Sequence, residues 1–327
     1  MLAIITYLSL RCKNNKRNNV NQFFRQIKTN QFYSFITCIF LCLFLNSFHS
    51  FSASEMKPFF MVEKTVFFLV LTFLLFGVNF IISKNNLTLD NSYALLFYLL
   101  VISFFSKYLY DYQVFFEYFL HLFFLRKVYS LQTLKEVFKK LFDAGLWLGV
   151  ICLMNPFLIV FSLLLFTALI VFKRVRFQTL LIPVIGFLTP IFLFFTYSFW
   201  IGELSLFTDK FIFYTTYDFS KYQEASFLVP LGVLSFFLLF AIFMKTGSAF
   251  SVNNRFRKSW ILLLSHLFIS ISYLFITFDR DGSELLIAAF PVAVILANGF
   301  ESIQRKFLKE IGLILFVLIA LLGPLFL

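Results

Sequence analysis

FDAGLWLGVICLMNPFLIVFSLLLFTALIVF, residues 142–172, decides how this chain folds. The run is apolar almost throughout, yet it is too long for one passage of a bilayer, whose hydrocarbon core takes about 20 residues of helix. It is interrupted at Asn155-Pro156. Asn is a preferred N-cap and Pro a preferred first-turn residue, so the dipeptide closes one helix and opens the next. The segment 142–154 is short, at roughly 20 Å of helix, and the amphipathic run 131–141 extends it at its N-terminal end. The two segments are therefore expected to form a helical hairpin that turns at Asn155 near the outer face. Were they one kinked helix, every later loop would change sides.

Charge selects the hairpin. Working outward from it, ten further apolar segments of suitable composition fall at 32–52, 65–82, 92–106, 108–125, 156–172, 179–200, 226–244, 259–278, 284–300 and 311–327, which makes eleven with 142–154. Twenty-two of the 28 Lys and Arg lie in alternate gaps between these segments. They cluster at Arg11 to Lys28, Lys84, Arg126 to Lys140, Lys173 to Arg176, Lys245 to Lys258 and Arg305 to Lys309. Only Lys57, Lys64, Lys107, Lys210, Lys221 and Arg280 lie in the other gaps. That alternation is the positive-inside pattern, and it places the N-terminus in the cytoplasm. The expected fold is all-α, a polytopic, multi-pass transmembrane bundle of about eleven spans. Residues 1–30 form a basic cytoplasmic lead-in and 31–327 a single transmembrane domain.

Composition excludes the alternatives. With 61% hydrophobic and 13% charged residues and a mean hydropathy of +0.89, the chain lies far from the soluble norm of roughly 25% charged. The net charge of +12 sits in short clusters beside apolar segments, where anionic lipid headgroups rather than nucleic acid attract it. The 54 Phe are spread over every segment without a repeat, as expected of interchangeable apolar positions. Cys12, Cys38, Cys42 and Cys152 show neither a disulfide framework nor a metal spacing. The opening MLAIITYLSL is too short to span and lacks the flanks of a signal peptide.

Four features could carry chemistry. Glu117 and His121 lie one helical turn apart within a span, on one face, and ionisable groups at that depth mark either a pathway or a buried pairing. A proton relay in a transporter and a purely structural hydrogen-bonded pair are both open, and His266 in the ninth segment is a further polar group that could join them. In the external loop 279–284, Asp279 and Asp281 are placed to coordinate a divalent cation, and Arg280 to hold a phosphate. The longest external loop, 201–225, interleaves seven aromatic residues with charges, as either an outer-leaflet amphipathic segment or a lid over a lipid-linked substrate does. In the first external loop Glu55 is a candidate general base and Lys57 a second phosphate contact. Gly145 and Gly149 form a small-xxx-small pattern that permits close helix approach. Nucleotide-binding and zinc-protease motifs are absent, and three His are too few for a membrane iron oxygenase.

The order around residues 131–200 resembles the middle of membrane glycosyltransferases that use polyprenyl-phosphate sugars: an amphipathic helix, a short Gly-rich helix, a break, a long apolar helix and an external aromatic loop. The whole chain from about residue 20 also resembles a family of uncharacterised bacterial inner-membrane proteins in which FDAGLWLG and ELLIAAFPVAVILANGFE recur, leaving residues 1–20 as an added extension. The first resemblance implies a catalytic carboxylate in the first external loop, where this chain offers Glu55 with Glu63 beyond it. It also implies membrane lipids and a polyprenyl-phosphate-linked sugar as partners. Three functional readings stay open: a glycosyltransferase-like protein, catalytic or not, a Glu117/His121 proton-coupled transporter, and a non-enzymatic subunit associated with other membrane proteins of an envelope assembly.

Overall fold

A computed structural model describes residues 58–316 apart from 89–92, 105–111, 134, 212–218, 252–253, 278–281, 304, 306, 308 and 310. Among the described residues every regular element is helical. In chain order these are α1 (Pro58–Lys84), α2 (Tyr93–Phe104), α3 (Tyr112–Ser130), α4 (Val137–Met154), a 3-10 segment (Pro156–Phe161), α5 (Ser162–Val171), α6 (Phe177–Trp200), α7 (Ala225–Ser251), α8 (Asn254–Ile276) and α9 (Leu285–Ser302). Short helical turns at Ser205–Thr208, Asp209–Phe211 and Ser220–Gln223 lie between α6 and α7.

Four of these are long and apolar enough to cross a membrane: Phe177–Trp200, Phe227–Gly247, Asn254–Ile276 and Leu285–Ser302. They mark the chain as a membrane protein. Pro156–Val171, 16 residues across the 3-10 segment and α5, is apolar but shorter than these. The segment expected at 142–154 is the second half of α4, whose start at Val137 takes in part of the amphipathic run.

The chain turns back at Asn155. Its backbone is extended there (φ −136°, ψ 100°), its N–H closes α4 on Ile151 O, and its side-chain oxygen accepts from Phe157 N at 3.2 Å to open the 3-10 segment at Pro156. Gly145 and Leu148 meet Ser162, Leu165 and Phe166 around a small cavity of about 120 Å³. These residues stand at matched distances on either side of Asn155, which is the geometry of a hairpin and not of one kinked helix.

Glycine lets α4 and α6 cross backbone to backbone. A Cβ at Gly145 would lie 2.1 Å from Pro183 O, and one at Gly149 2.4 Å from Phe187 O. Gly186 answers from α6, where a Cβ would lie 2.3 Å from Phe142 O. Such close approach is how helices gain packing energy in lipid, where apolar surface alone gives little net drive. The interior is built on α9, nearly all of whose residues are buried, and α2, α7 and α8 pack around it. Phe97 and Phe237 lie against Phe300, Phe316 lies against Phe97 and Phe237, and Asn298 donates to Leu87 O at 2.9 Å. By contrast α6 and α7 turn apolar faces outward, with Trp200 and Phe243 more than 80% exposed, as expected of helices bathed in lipid.

Candidate functional site

Polar groups in apolar helices are costly unless they pair, so they show where the bundle does something besides pack. Glu117 and His121 lie on α3, one turn apart, and both are buried. Gln113, one turn before Glu117 on the same face, donates to its carboxylate at 3.3 Å. His121 lies against Phe161 of the 3-10 segment, ring centroids 4.5 Å apart, and 6.1 Å from the ring of His266 on α8. His266 in turn shares a hydrogen bond of 3.0 Å between its Nδ1 and the Tyr129 hydroxyl. Both nitrogens of His121 and Nε2 of His266 are buried without a hydrogen-bond partner.

A second group lies where α4 ends and α8 ends. Asn155 Nδ2 donates to the Tyr273 hydroxyl at 3.0 Å, and Thr277 reaches the same oxygen at 3.5 Å. Glu117 and Glu284 both lie close enough to interact electrostatically with that phenol. Glu284, just before α9 and only 4% exposed, accepts from Gly282 N at 2.9 Å and from the Tyr222 hydroxyl. Tyr222 belongs to the aromatic loop between α6 and α7, so that loop is docked onto the start of α9.

Glu117, His121 and His266 are thus brought together from α3 and α8. Glu55, Lys57, Asp279, Arg280 and Asp281 lie outside the described residues. Among the described residues no three His, Cys, Asp or Glu side chains gather closely enough to hold a metal ion. Sequence reasoning passed over Tyr129 and Tyr273, and read Glu284 only as a charge of the external loop 279–284. Tyr273 had a signal, a hydroxyl inside the run SISYLFITF, but a phenol among Phe residues reads as one more aromatic.

The fold and this interior define an all-helical membrane protein with a buried polar core. Residues 22–326 match a family of unknown function, DUF6427, and the chain belongs to it. No curated protein matches it, and no solved structure does.

Proposed function

We propose that the chain is an eleven-span protein of the bacterial inner membrane, N-terminus in the cytoplasm, that handles a lipid-linked envelope substrate at the outer face in the manner of polyprenyl-phosphate-sugar glycosyltransferases. The topology is supported by which gaps touch. Gln132 meets Asn85, Arg255 and Ser259, and Lys309 lies 4.3 Å over the Tyr93 ring, all groups in, or at the first residues beyond, gaps that charge sorting assigns to the cytoplasm. Asn155, Tyr273, Thr277, Glu284 and Tyr222 meet at the other side.

The observation that carries the functional reading is the docking of the external aromatic loop through Tyr222 onto buried Glu284, with Tyr273 and Glu117 beneath. An aromatic cover over carboxylates and phenols suits a sugar carried on an isoprenoid. In this reading Glu55 is the base, Lys57 and Arg280 contact phosphate, and Asp279 with Asp281 holds a divalent cation. The test is a Glu55→Gln, Arg280→Ala double variant expressed at wild-type level. Loss of an envelope glycan is expected, and unchanged glycans would remove the proposal.

A transporter reading is favoured by a different observation, the two unpartnered ring nitrogens of His121 one helical turn from Glu117, with the unpartnered Nε2 of His266 on a ring 6.1 Å from that of His121. It predicts that proteoliposomes dissipate an imposed pH gradient and that Glu117→Gln abolishes this. Equal rates in wild type and variant would dismiss it.

A further inference from the structure

The start of α4, the end far from Asn155, opens on a cavity of about 660 Å³ lined by Lys84, Arg126, Lys127, Lys135, Lys139 and Lys140. Two carboxylates, Glu136 and Asp143, share it. Asp143 is taken by Lys127 at 2.6 Å. The cavity therefore carries a strong excess of positive charge.

Helix stability accounts for some of these cations and not for others. Lys84 and Lys127 sit in the last turns of α1 and α3, where the helix dipole welcomes them. Lys139 and Lys140 sit in the first turn of α4, where it opposes them, and no acidic residue occupies that turn. Cations held against the dipole and against one another call for an anion. The cavity wall also holds Asn85, 2% exposed, whose side-chain nitrogen donates to Ile81 O while its oxygen has no partner. A buried acceptor of this kind needs a donor, such as a hydroxyl.

An apolar groove of about 460 Å³ leads away from the cavity between α1 and α3, lined by Phe73, Phe76, Gly77, Phe119, Leu122 and Phe123. Phe80 and Arg126 belong to both walls, and the Arg126 guanidinium lies 4.9 Å over the Phe80 ring, with Lys84 5.6 Å from it. From Phe73 to Ser83 the groove follows α1 for about 15 Å, which is the hydrocarbon depth of one leaflet, half of about 30 Å. A basic, hydroxyl-seeking chamber joined to an apolar channel one leaflet deep has the form of one amphiphile.

We propose that cavity and groove bind a single anionic phospholipid of the adjacent leaflet. Its phosphate lies among Lys84, Arg126 and Lys139, a headgroup hydroxyl donates to Asn85 Oδ1, and an acyl chain lies between α1 and α3. Charge-assisted bonds to phosphate hold the head, and chain burial holds the tail. The site is separate from the outer-face group around Glu284 and stands whether or not the protein transfers sugar.

The test uses the full chain, delipidated in a neutral detergent and titrated with phosphatidylglycerol in mixed micelles, with bound lipid counted by native mass spectrometry. Saturable binding of one lipid is expected, with phosphatidylcholine failing to compete. Lys84→Ala with Arg126→Ala should weaken it on the order of tenfold or more, as loss of charge-assisted bonds does. Lys173→Ala with Arg174→Ala, the same charge loss in another loop, should leave it unchanged. Gly77→Leu keeps every cation, and a Cβ there meets nothing nearer than Leu122 Cδ1 at 3.8 Å, so the fold tolerates it while the groove is filled. This variant decides the matter if the charge variant does not fold, and it too should lose phosphatidylglycerol. Competition by inorganic phosphate, or binding indifferent to Gly77→Leu, would show a site for a soluble anion and overturn the proposal. Equal binding by all variants would overturn it as general adsorption.

Discussion

The two ends of α4 treat polar side chains in opposite ways. At Asn155 the groups are spent on one another: Asn155 and Thr277 on Tyr273, Tyr222 and Gly282 on Glu284. At Val137 they outnumber their partners: six cations share two carboxylates, one of them held by Lys127, and the Asn85 side-chain oxygen has no partner beside an open cavity. A bundle in lipid must satisfy its polar groups from within or from a ligand, since no water stands in the hydrocarbon to do it. The first end is thus closed on itself, and its polar groups hold loops and helices together. The second end is completed only by something outside the chain. Substitutions that remove polarity should therefore cost much at the first end and little at the second.

The steepest cost falls on Glu284. Glu284→Leu strips the partner from a phenol and a backbone N–H at a buried position, a loss of about 3 kcal/mol for two orphaned donors. Heat- or SDS-induced unfolding in mild detergent should show a clearly lowered midpoint, and a midpoint equal to wild type would erase the contrast between the ends. Tyr273→Phe comes next. It keeps the ring and removes one acceptor from half-buried Asn155, which water can still reach, for about 1 kcal/mol. Because Asn155 holds the turn of the hairpin, limited proteolysis should begin near residues 155–161 in this variant.

At the other end Asp143→Asn breaks the Lys127 pair, whose side chains are each about a quarter exposed (27% and 26%). Pairs of that exposure contribute roughly 0.5 kcal/mol. The measured loss should be smaller still, because the variant also adds net positive charge to a cavity that an anion can then neutralise. A cost as large as that of Glu284→Leu would mean that the basic end is as tightly knit as the outer one.

Much of this was legible in the residues. Asn155-Pro156 announced the hairpin, GLWLG a close helix crossing though not its partner, and the spacing of Glu117 and His121 their common face. The basic cavity was not legible, although each of its cations had been noted. Lys84 comes from one gap and Arg126 to Lys140 from the next, and a count that asks only on which side they lie says nothing of whether they converge. The pairings of Tyr273 and Glu284 were missed for the same reason: their partners, Asn155 and Tyr222, lie more than 60 residues away in the chain. The division of 156–172 into a 3-10 segment, Pro156–Phe161, and a helix of 10 residues, Ser162–Val171, also escaped the sequence, because apolar composition runs through both alike.

The smallest effect is the most specific. Lys140 donates to Ser130 O at 3.0 Å and to Thr133 at 2.5 Å, tying the first turn of α4 to the end of α3. Partial burial holds its pKa below the ordinary 10.5, with Glu136 pulling it up and Lys127 and Lys84 pushing it down. A lysine whose folded pKa is lowered loses its proton first in the folded state. Stability then rises as pH climbs through the folded pKa and levels off above the unfolded value. Wild type should accordingly gain on Lys140→Met as pH is raised from about 8 to about 11 in lipid-free micelles, across the lysine range. Phosphatidylglycerol in the cavity supplies the missing counter-charge and lifts the pKa back, so its addition should flatten that rise. An identical slope with and without the lipid would place the phosphate away from Lys140, and the basic end would have to be completed by something else.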